Sequence, residues 1–327
     1  MQQRLLVWQN GKLNKQVTLK TLGDVLRDPQ AVIWLDIDGD ITDCRDQLHS
    51  VFKLSSITLD TMQEDRERAK FTEGKSYFYL VMHGLTFDEA TENGATIKLD
   101  IVFGQNFVIT AHRETFPWLE SLCDTVWKGK IAADVMGRGM SRLLHSILDN
   151  LVDSYFPVLD QIDGVIDDLE DATVNSVTDA VQGRIFQLKR TVGLMRRVIS
   201  PQVEVANALI ARTGDVIPVE VEPYFADMHD HLIRAFEVLD SYRDLMSGLL
   251  DVYLSTVSNR LNIVMKQLAV IATIFMPITF ITGVFGQNFA FSPQVVHDNG
   301  YFFWVVLLGM GLLTAMQLYY FKRKGWI

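Results

Sequence analysis

The sequence is poor in the residues that define several protein classes. Its 327 residues include only 2 Cys, 8 Pro and 21 Gly, which excludes disulfide-rich scaffolds, proline-rich disordered chains and collagen-like repeats. Charged residues are unevenly placed, because the stretches 268–285 and 301–321 contain no Asp, Glu, Lys or Arg. The formal net charge of −10 argues against nucleic acid as a partner. A long soluble part and a short, strongly apolar part remain.

Each charge-free stretch is long enough to cross a lipid bilayer. At 1.5 Å per residue, helices of this length reach roughly 27 to 32 Å, which matches the hydrocarbon core of a bilayer. Neither stretch has the polar face that a helix on the surface of a soluble core would show. We therefore predict two transmembrane helices, 268–285 and 301–321.

Basic residues next to these stretches predict their orientation. They precede the first stretch and follow the second, at Arg260, Lys266, Lys322, Arg323 and Lys324. The connection 286–300 contains no Lys or Arg. Because basic flanks stay on the cytoplasmic side, we predict a multi-pass protein of a bacterial-type inner (plasma) membrane, with both termini in the cytoplasm.

The remaining chain divides by its hydrophobic periodicity. Residues 1–130 predict a cytoplasmic α/β domain, with strands at 4–8, 31–37, 77–83, 95–103 and 107–111 and helices at 55–68 and 116–127. Residues 131–267 predict a long-helix bundle and stalk, with helices near 131–172, 177–213 and 222–285. The last of these runs into the first span. An extracytoplasmic loop, 286–300, and a basic tail, 322–327, complete an α+β membrane protein.

Acidic residues are spaced by seven along the third long helix, at Asp230, Glu237, Asp244 and Asp251. Heptad spacing places them on one stripe. Such a stripe is commonly the solvated face of a bundle, and it can also be a negative lining that concentrates cations. The second interpretation is favoured here because the helix continues into the first span. A further acidic cluster at 160–171 supports both interpretations equally.

The pentapeptide Phe-Gly-Gln-Asn-Phe occurs twice, in two different contexts. The copy at 103–107 lies between two predicted strands and indicates a hairpin turn. The copy at 285–289 ends the first span, where Gly286 allows a sharp turn and Asn288 presents an amide carbonyl at the outer mouth. Gln287 stands between them.

The run 271–289, Ile-Ala-Thr-Ile-Phe-Met-Pro-Ile-Thr-Phe-Ile-Thr-Gly-Val-Phe-Gly-Gln-Asn-Phe, resembles the signature of the CorA family of divalent-cation channels. The resemblance extends to 224–231, 247–254 and 320–327. It implies a homopentamer whose first span lines a central pore above a funnel of long helices. It also implies passage of Mg²⁺, and of Co²⁺ and Ni²⁺, through that pore.

One face of the first span is assigned to the pore. Its residues recur every three or four positions, at Asn262, Met265, Leu268, Ala272, Met276 and Thr279. Neutral oxygens suit a partly hydrated Mg²⁺, with charge supplied by Asp251 and the acidic stripe. The apolar positions on this face are expected to gate by dewetting.

The resemblance also implies regulatory metal sites. Asp227 matches a regulatory ligand of the family, Asp88 is the expected partner from a neighbouring subunit, and Asp168 is a candidate for a second ion. Metal bound at these carboxylates would hold a closed state by offsetting their repulsion.

Two alternatives stay open. Phe285 and Gln287 depart from the commonest CorA motif, and Phe285 also resembles the ZntB zinc transporters. With His297 as a ligand suited to a softer ion, these residues leave a Zn²⁺ transporter of the ZntB type as the closest alternative. The second alternative is a membrane-anchored metal sensor or scaffold that does not conduct. An enzyme is not expected, because no phosphate loop, nucleophile elbow or dinucleotide fingerprint is present. The metal ion is therefore predicted as cargo and regulator, with no catalytic cofactor, and the predicted partners are the bilayer, the ion and further copies of the chain.

Overall fold

The computed structural model describes residues 2–19, 21–175, 178–214, 216–287 and 300–326. The chain divides into two compact units, Met1–Leu250 and Asp251–Ile327. The first unit contains a sheet and most of the helices, whereas the second consists of apolar helix.

A seven-stranded sheet forms the centre of the first unit. Its strands, in chain order, are β1 Gln2–Gln9, β2 Lys12–Leu13, β3 Val32–Asp38, β4 Lys70–Glu73, β5 Phe78–Asp88, β6 Asn93–Phe103 and β7 Phe107–His112. Their order across the sheet is β2-β1-β3-β7-β6-β5-β4. β3 and β7 are parallel, and the other neighbouring pairs are antiparallel.

The described residues also form α-helices. They are α1 Leu22–Val25, α2 Arg45–Phe52, α3 Ser56–Gln63, α4 Pro117–Trp127, α5 Ala132–Val135, α6 Met140–Asp153, α7 Tyr155–Asn175, α8 Asp179–Arg212, α9 Glu222–Phe285 and α10 Gly300–Arg323. Leu48, Phe52, Leu59 and Met62 of α2 and α3 join the odd-numbered residues of β3 in one buried core. Helices α6, α7 and α8 contact strands β4 to β7.

The predicted architecture is confirmed: an α/β domain is followed by long helices and two apolar C-terminal helices. The longest element is a single helix at the predicted bounds, Glu222–Phe285. The helix predicted near 131–172 is wrong as one element. Gly139 has a φ of 104° just before α6, a conformation that favours glycine over other residues, and Ser154 separates α6 from α7.

Two helix side chains form hydrogen bonds with a part of the β5 backbone that has no strand partner. β4 pairs with β5 only as far as Val81, so the backbone of His83 has no strand partner on that side. Gln202 Oε1 accepts a hydrogen bond from His83 N at 2.9 Å, and the Tyr155 hydroxyl donates to His83 O at 2.7 Å. Both helices are thereby joined to the sheet, since Tyr155 and Gln202 are fully buried.

Replacing Gln202 with Leu should lower the free energy of unfolding by about 1–3 kcal/mol, because the buried His83 N–H would lose its acceptor. Denaturant unfolding of the purified full-length protein measures this change. Gln161→Leu, at an exposed position of α7, is the matched control and should change stability little. Equal stability of the wild type and Gln202→Leu would contradict the assignment.

A buried charge pair lies where β3 and β7 end. His112 Nε2 is 3.4 Å from Asp36 Oδ1, and both residues are almost fully buried. Burial lowers the pKa of His112, but the Asp36 carboxylate, the Glu114 carbonyl and the Asp38 carboxylate together outweigh this effect, and the net pKa is raised above its ordinary value of 6.5. Protonated His112 therefore stabilises the folded chain.

The contribution of His112 to stability should decrease as pH rises. Because the pKa is higher in the folded chain, the stabilisation is complete below the unfolded value near 6.5 and is lost as pH rises through the folded value. The measurement is the stability difference between wild type and His112→Gln at pH 6 and at pH 8.5. The difference should be larger at the lower pH. A difference that stays constant or grows with pH would refute the pairing.

Candidate functional site

One side of α9 in the second unit faces α10. Between residues 258 and 285, the partly or fully buried residues recur every three or four positions, at Lys266, Val270, Ile274, Pro277, Ile278 and Ile281. Lys266 Nζ donates to Gly325 O at 3.1 Å, and Gln317 Nε2 donates to Thr273 O at 3.1 Å. Both helices are long and apolar enough to cross a membrane.

The six residues predicted to line a pore lie on the other side of α9. All of them, Asn262, Met265, Leu268, Ala272, Met276 and Thr279, are exposed in the single chain. With about 100° of rotation per residue, this face is roughly opposite the face that contacts α10. α10 therefore leaves it uncovered, and it is available to water or to another copy of the chain.

Threonine hydroxyls in this segment donate to their own helix. Thr279 Oγ1 donates to Phe275 O at 2.9 Å, and Thr273 Oγ1 donates to Ala269 O at 2.7 Å. A hydroxyl whose proton is committed in this way still has lone pairs that can accept. At Thr279 those lone pairs are suited to accept hydrogen bonds from the outward-pointing hydrogens of a hydrated cation.

The two copies of the pentapeptide differ in structure, as predicted. Gly104 to Asn106 form the turn between β6 and β7, where Gly104 N donates to Phe107 O at 3.0 Å. In the second copy α9 ends at Phe285, and Gly286 N donates to Thr282 O at 2.9 Å. Asn288 lies outside the described residues, and Gln287 is exposed.

Gly286 does not form the expected glycine-specific turn, because its φ is not among the positive values of the chain. The absence of a side chain at Gly286 instead avoids a close steric contact. A Cβ at this position would lie 3.1 Å from the carbonyl oxygen of Thr282, which is tighter than ordinary van der Waals contact.

The first unit places the acidic stripe of α9 opposite a buried face. The buried residues follow a heptad pattern, at Phe225, Met228, Leu232, Ala235, Leu239, Tyr242 and Met246. Asp230, Glu237 and Asp244 are exposed on the other side, and Asp244 is partly neutralised by Arg243 at 2.9 Å. Asp251, in the second unit, is also exposed. The stripe is therefore solvated and negatively charged.

Asp227 lies near a group of titratable residues that we call the Asp227 cluster: Asp227, His145, Asp149, Asp153 and His231. His145 Nε2 is 3.9 Å from Asp149 Oδ1, and His231 Nδ1 is 3.6 Å from Asp153 Oδ1. Burial raises the pKa of Asp149, and the charges of Asp153 and Asp227 raise it further, while His145 and His231 oppose the shift. Negative charge is thus concentrated between α6 and the start of α9.

Sequence reasoning missed the members of this cluster on α6. His145, Asp149 and Asp153 are spaced by four, so they share one face of the helix. That spacing was available from the sequence. The packing of α6 against the start of α9, where His145 Nε2 meets Tyr224 O at 3.1 Å, was not.

No described hydrogen bond or ion pair joins Asp88 or Asp168 to this cluster. Asp88 is exposed at the end of β5, and it accepts from Thr91 Oγ1 at 2.6 Å and from Ala90 N at 3.1 Å. The bond from Thr91, followed by that from Ala90, lowers the pKa of Asp88. Asp168 is exposed on α7.

The described part of a single chain holds no group of three or more His, Cys, Asp or Glu side chains arranged to bind a metal ion. No hydrogen bond or ion pair among the described residues joins Asp88, Asp168 and Asp227 to one another. A metal site that uses them must therefore draw ligands from further copies of the chain or from water.

Comparison with known proteins decides the family. A family profile described as "CorA-like Mg2+ transporter protein" matches residues 29–323. The cobalt/magnesium transport protein CorA of Thermotoga maritima is 33% identical over 302 residues, which span 92% of this chain and 85% of that protein. This chain belongs to the CorA-like Mg²⁺ transporter family.

The CorA fold is confirmed by a solved structure. The complete structure of the CorA magnesium transporter from Methanocaldococcus jannaschii matches with a TM-score of 0.82 at 22% identity, covering 99% of this chain and 98% of that one. The zinc transport protein ZntB of Yersinia pseudotuberculosis is more distant, at 20% identity over 295 residues, 90% of this chain and 88% of that protein. With its two apolar helices, this CorA-family chain is a membrane protein.

Proposed function

We propose that this chain forms an oligomeric membrane pore that passes divalent cations, principally Mg²⁺ and also Co²⁺ or Ni²⁺. The observation that carries the proposal is the 33% identity, over 92% of the chain, to a protein named for cobalt and magnesium transport. The relative named for zinc transport is only 20% identical. Mg²⁺ is therefore the proposed primary cargo. Zn²⁺ is the alternative cargo, and the experiment must distinguish between the two ions.

The uncovered face of α9 supports a pore between subunits. The two membrane helices of one chain cannot enclose a water-filled path through the hydrocarbon. Several copies that turn Asn262, Ala272, Met276 and Thr279 inward would enclose one, with α10 outside. The family resemblance implies five copies.

The polar groups of this face suit a hydrated ion. Mg²⁺ gives up its waters reluctantly, so a pore can select it by accepting hydrogen bonds from those waters. Thr279 Oγ1, with its proton held by Phe275 O, and the amide oxygens of Asn262, Gln287 and Asn288 would do this. Gly286 has no side chain to crowd the carbonyl oxygen of Thr282 at the end of this segment.

Apolar side chains on the same face provide the gate. Met265, Leu268 and Met276 are long and fully uncharged, and each is more than half exposed in the single chain. Rings of such side chains at a narrow point expel water and stop ion flow without a physical plug. Asp251 and the acidic stripe would raise the local concentration of cations below this gate.

The Asp227 cluster supports a metal sensor on the cytoplasmic side. Asp149 already has a raised pKa, because of burial and then the charges of Asp153 and Asp227, so further negative charge there is unfavourable. Metal ions bridging Asp227 to Asp88 of a neighbouring subunit, with Asp168 at a second site, would offset this repulsion and favour a closed state. Loss of the metal would favour opening.

Orientation in the membrane follows from the basic residues. Arg260 and Lys266 lie before the first span, and the tail after α10 contains Lys322, Arg323 and Lys324. By the positive-inside rule, both termini would lie on the cytoplasmic side of the inner (plasma) membrane. Entry from outside would then pass Asn288 first and Asp251 last.

Reconstituted protein should carry Mg²⁺ into liposomes, and Asn288→Ala should reduce that entry to the protein-free background. The measurement uses ion-specific dyes with Mg²⁺ and Zn²⁺ supplied separately at low internal metal. Gln105→Ala, in the exposed turn of the other pentapeptide copy, is the matched control and should retain full entry. Selective Zn²⁺ entry would reassign the cargo, and no entry of either ion through folded oligomers would favour a non-conducting sensor or scaffold.

Internal Mg²⁺ should inhibit the flux, and Asp227→Ala should raise the half-inhibitory concentration about tenfold, equivalent to about 1.4 kcal/mol of lost binding. Asp227→Lys supplies a fixed cation and should give low flux at every Mg²⁺ concentration. Asp171→Ala, which removes an exposed carboxylate of α7, serves as the control. Identical Mg²⁺ dependence in all four proteins would rule out the sensor.

A further inference from the structure

Pro277 interrupts the hydrogen-bond ladder of α9 without ending the helix. Proline has no backbone N–H, so the carbonyl of Thr273, four residues earlier, receives no bond from the helix itself. Thr273 lies inside the predicted span 268–285, where hydrocarbon supplies no water to replace this bond. The Thr273 carbonyl therefore needs a donor from elsewhere.

Gln317 of α10 provides that donor. Its Nε2 lies 3.1 Å from Thr273 O, and because a carbonyl only accepts, the NH₂ end of the amide must face it. The hydroxyl of Thr314, one turn before Gln317, makes no such bond to α9, because Thr314 Oγ1 donates to Met310 O of its own helix. Among the described residues, Gln317 Oε1 is buried and has no hydrogen-bond partner, so the amide is held by the Thr273 bond.

We infer that Gln317 is a positioning residue for the pore helix: its amide replaces the donor that Pro277 removes and fixes the Thr273–Pro277 turn of α9 against α10. Met276 within this turn, and Ala272 just before it, lie on the uncovered side. A bond that fixes one side of the turn also fixes the direction in which the other side points. The part of this inference that concerns ion flow rests on the proposed function, and the part that concerns the helix pair does not.

A double-mutant cycle tests the inference, because Pro277→Ala restores a backbone N–H that can bond Thr273 O. Gln317→Met keeps the length of the side chain and removes its donor. Full-length wild type, both single variants and the double variant are compared by the rate of irreversible thermal unfolding in detergent. Thr314→Val, which removes a polar group of α10 with no bond to α9, is the matched control in both backgrounds.

Gln317→Met should accelerate unfolding about threefold when Pro277 is present, the size expected for one hydrogen bond between membrane helices. In the Pro277→Ala background the same substitution should have little effect, and Thr314→Val should have little effect in either. An equal acceleration in both backgrounds would overturn the inference, because Gln317 would then act through packing alone.

Ion flow gives a second measurement, and a loss of packing alone would not make its change depend on Pro277. Gln317→Met should shift the internal Mg²⁺ concentration that half-inhibits flux, and the shift should disappear in the Pro277→Ala background. Absence of flux in the wild type would refute the proposed function while the unfolding rates still decide the role of Gln317. Normal flux with additive effects on unfolding would refute the role of Gln317 and leave the proposed function intact.

Discussion

Hydrocarbon offers the backbone no water, and this constraint governs the whole C-terminal unit. Both apolar segments are helices, their threonine hydroxyls bond to carbonyls of the same helix, and the one carbonyl freed by Pro277 is met by Gln317. Among the described residues of this helix pair, Gln317 Oε1 is the buried side-chain polar atom that has no hydrogen-bond partner. In the proposed function, the path for ions lies on the uncovered side of α9, between copies of the chain.

The helix α9 uses its two sides differently along its length. In the first unit one side is buried at heptad spacing and the other carries Asp230, Glu237 and Asp244. In the second unit one side faces α10 and the other presents methionine, leucine, alanine and threonine. In the proposed pore, negative charge would attract the cation where water is plentiful, and neutral oxygens would accept its waters where water is scarce. That order is economical, because a buried unpaired carboxylate is costly.

Periodicity was enough to predict what a single element determines by itself. The bounds of α9, the strands β3, β6 and β7, and the clustering of Asn262 to Thr279 on one face follow from spacing along the chain. Contacts between elements were not predictable. The strands β2 and β4 contain two and four residues, too few for a pattern, and the approach of Asp149 to Asp227 and of Gln317 to Thr273 depends on how helices pack.

Cysteine accessibility across α9 tests the central claim most directly, since the native Cys44 and Cys123 are buried and burial raises the pKa of the Cys44 thiol to about 11. Single cysteines at Ala272, Met276 and Thr279 are compared with cysteines at Ile274 and Ile278 during flux in liposomes. The account predicts that a charged, water-soluble thiol reagent modifies and blocks the first set only. Modification of the second set with the first set silent would contradict a pore lined by this face.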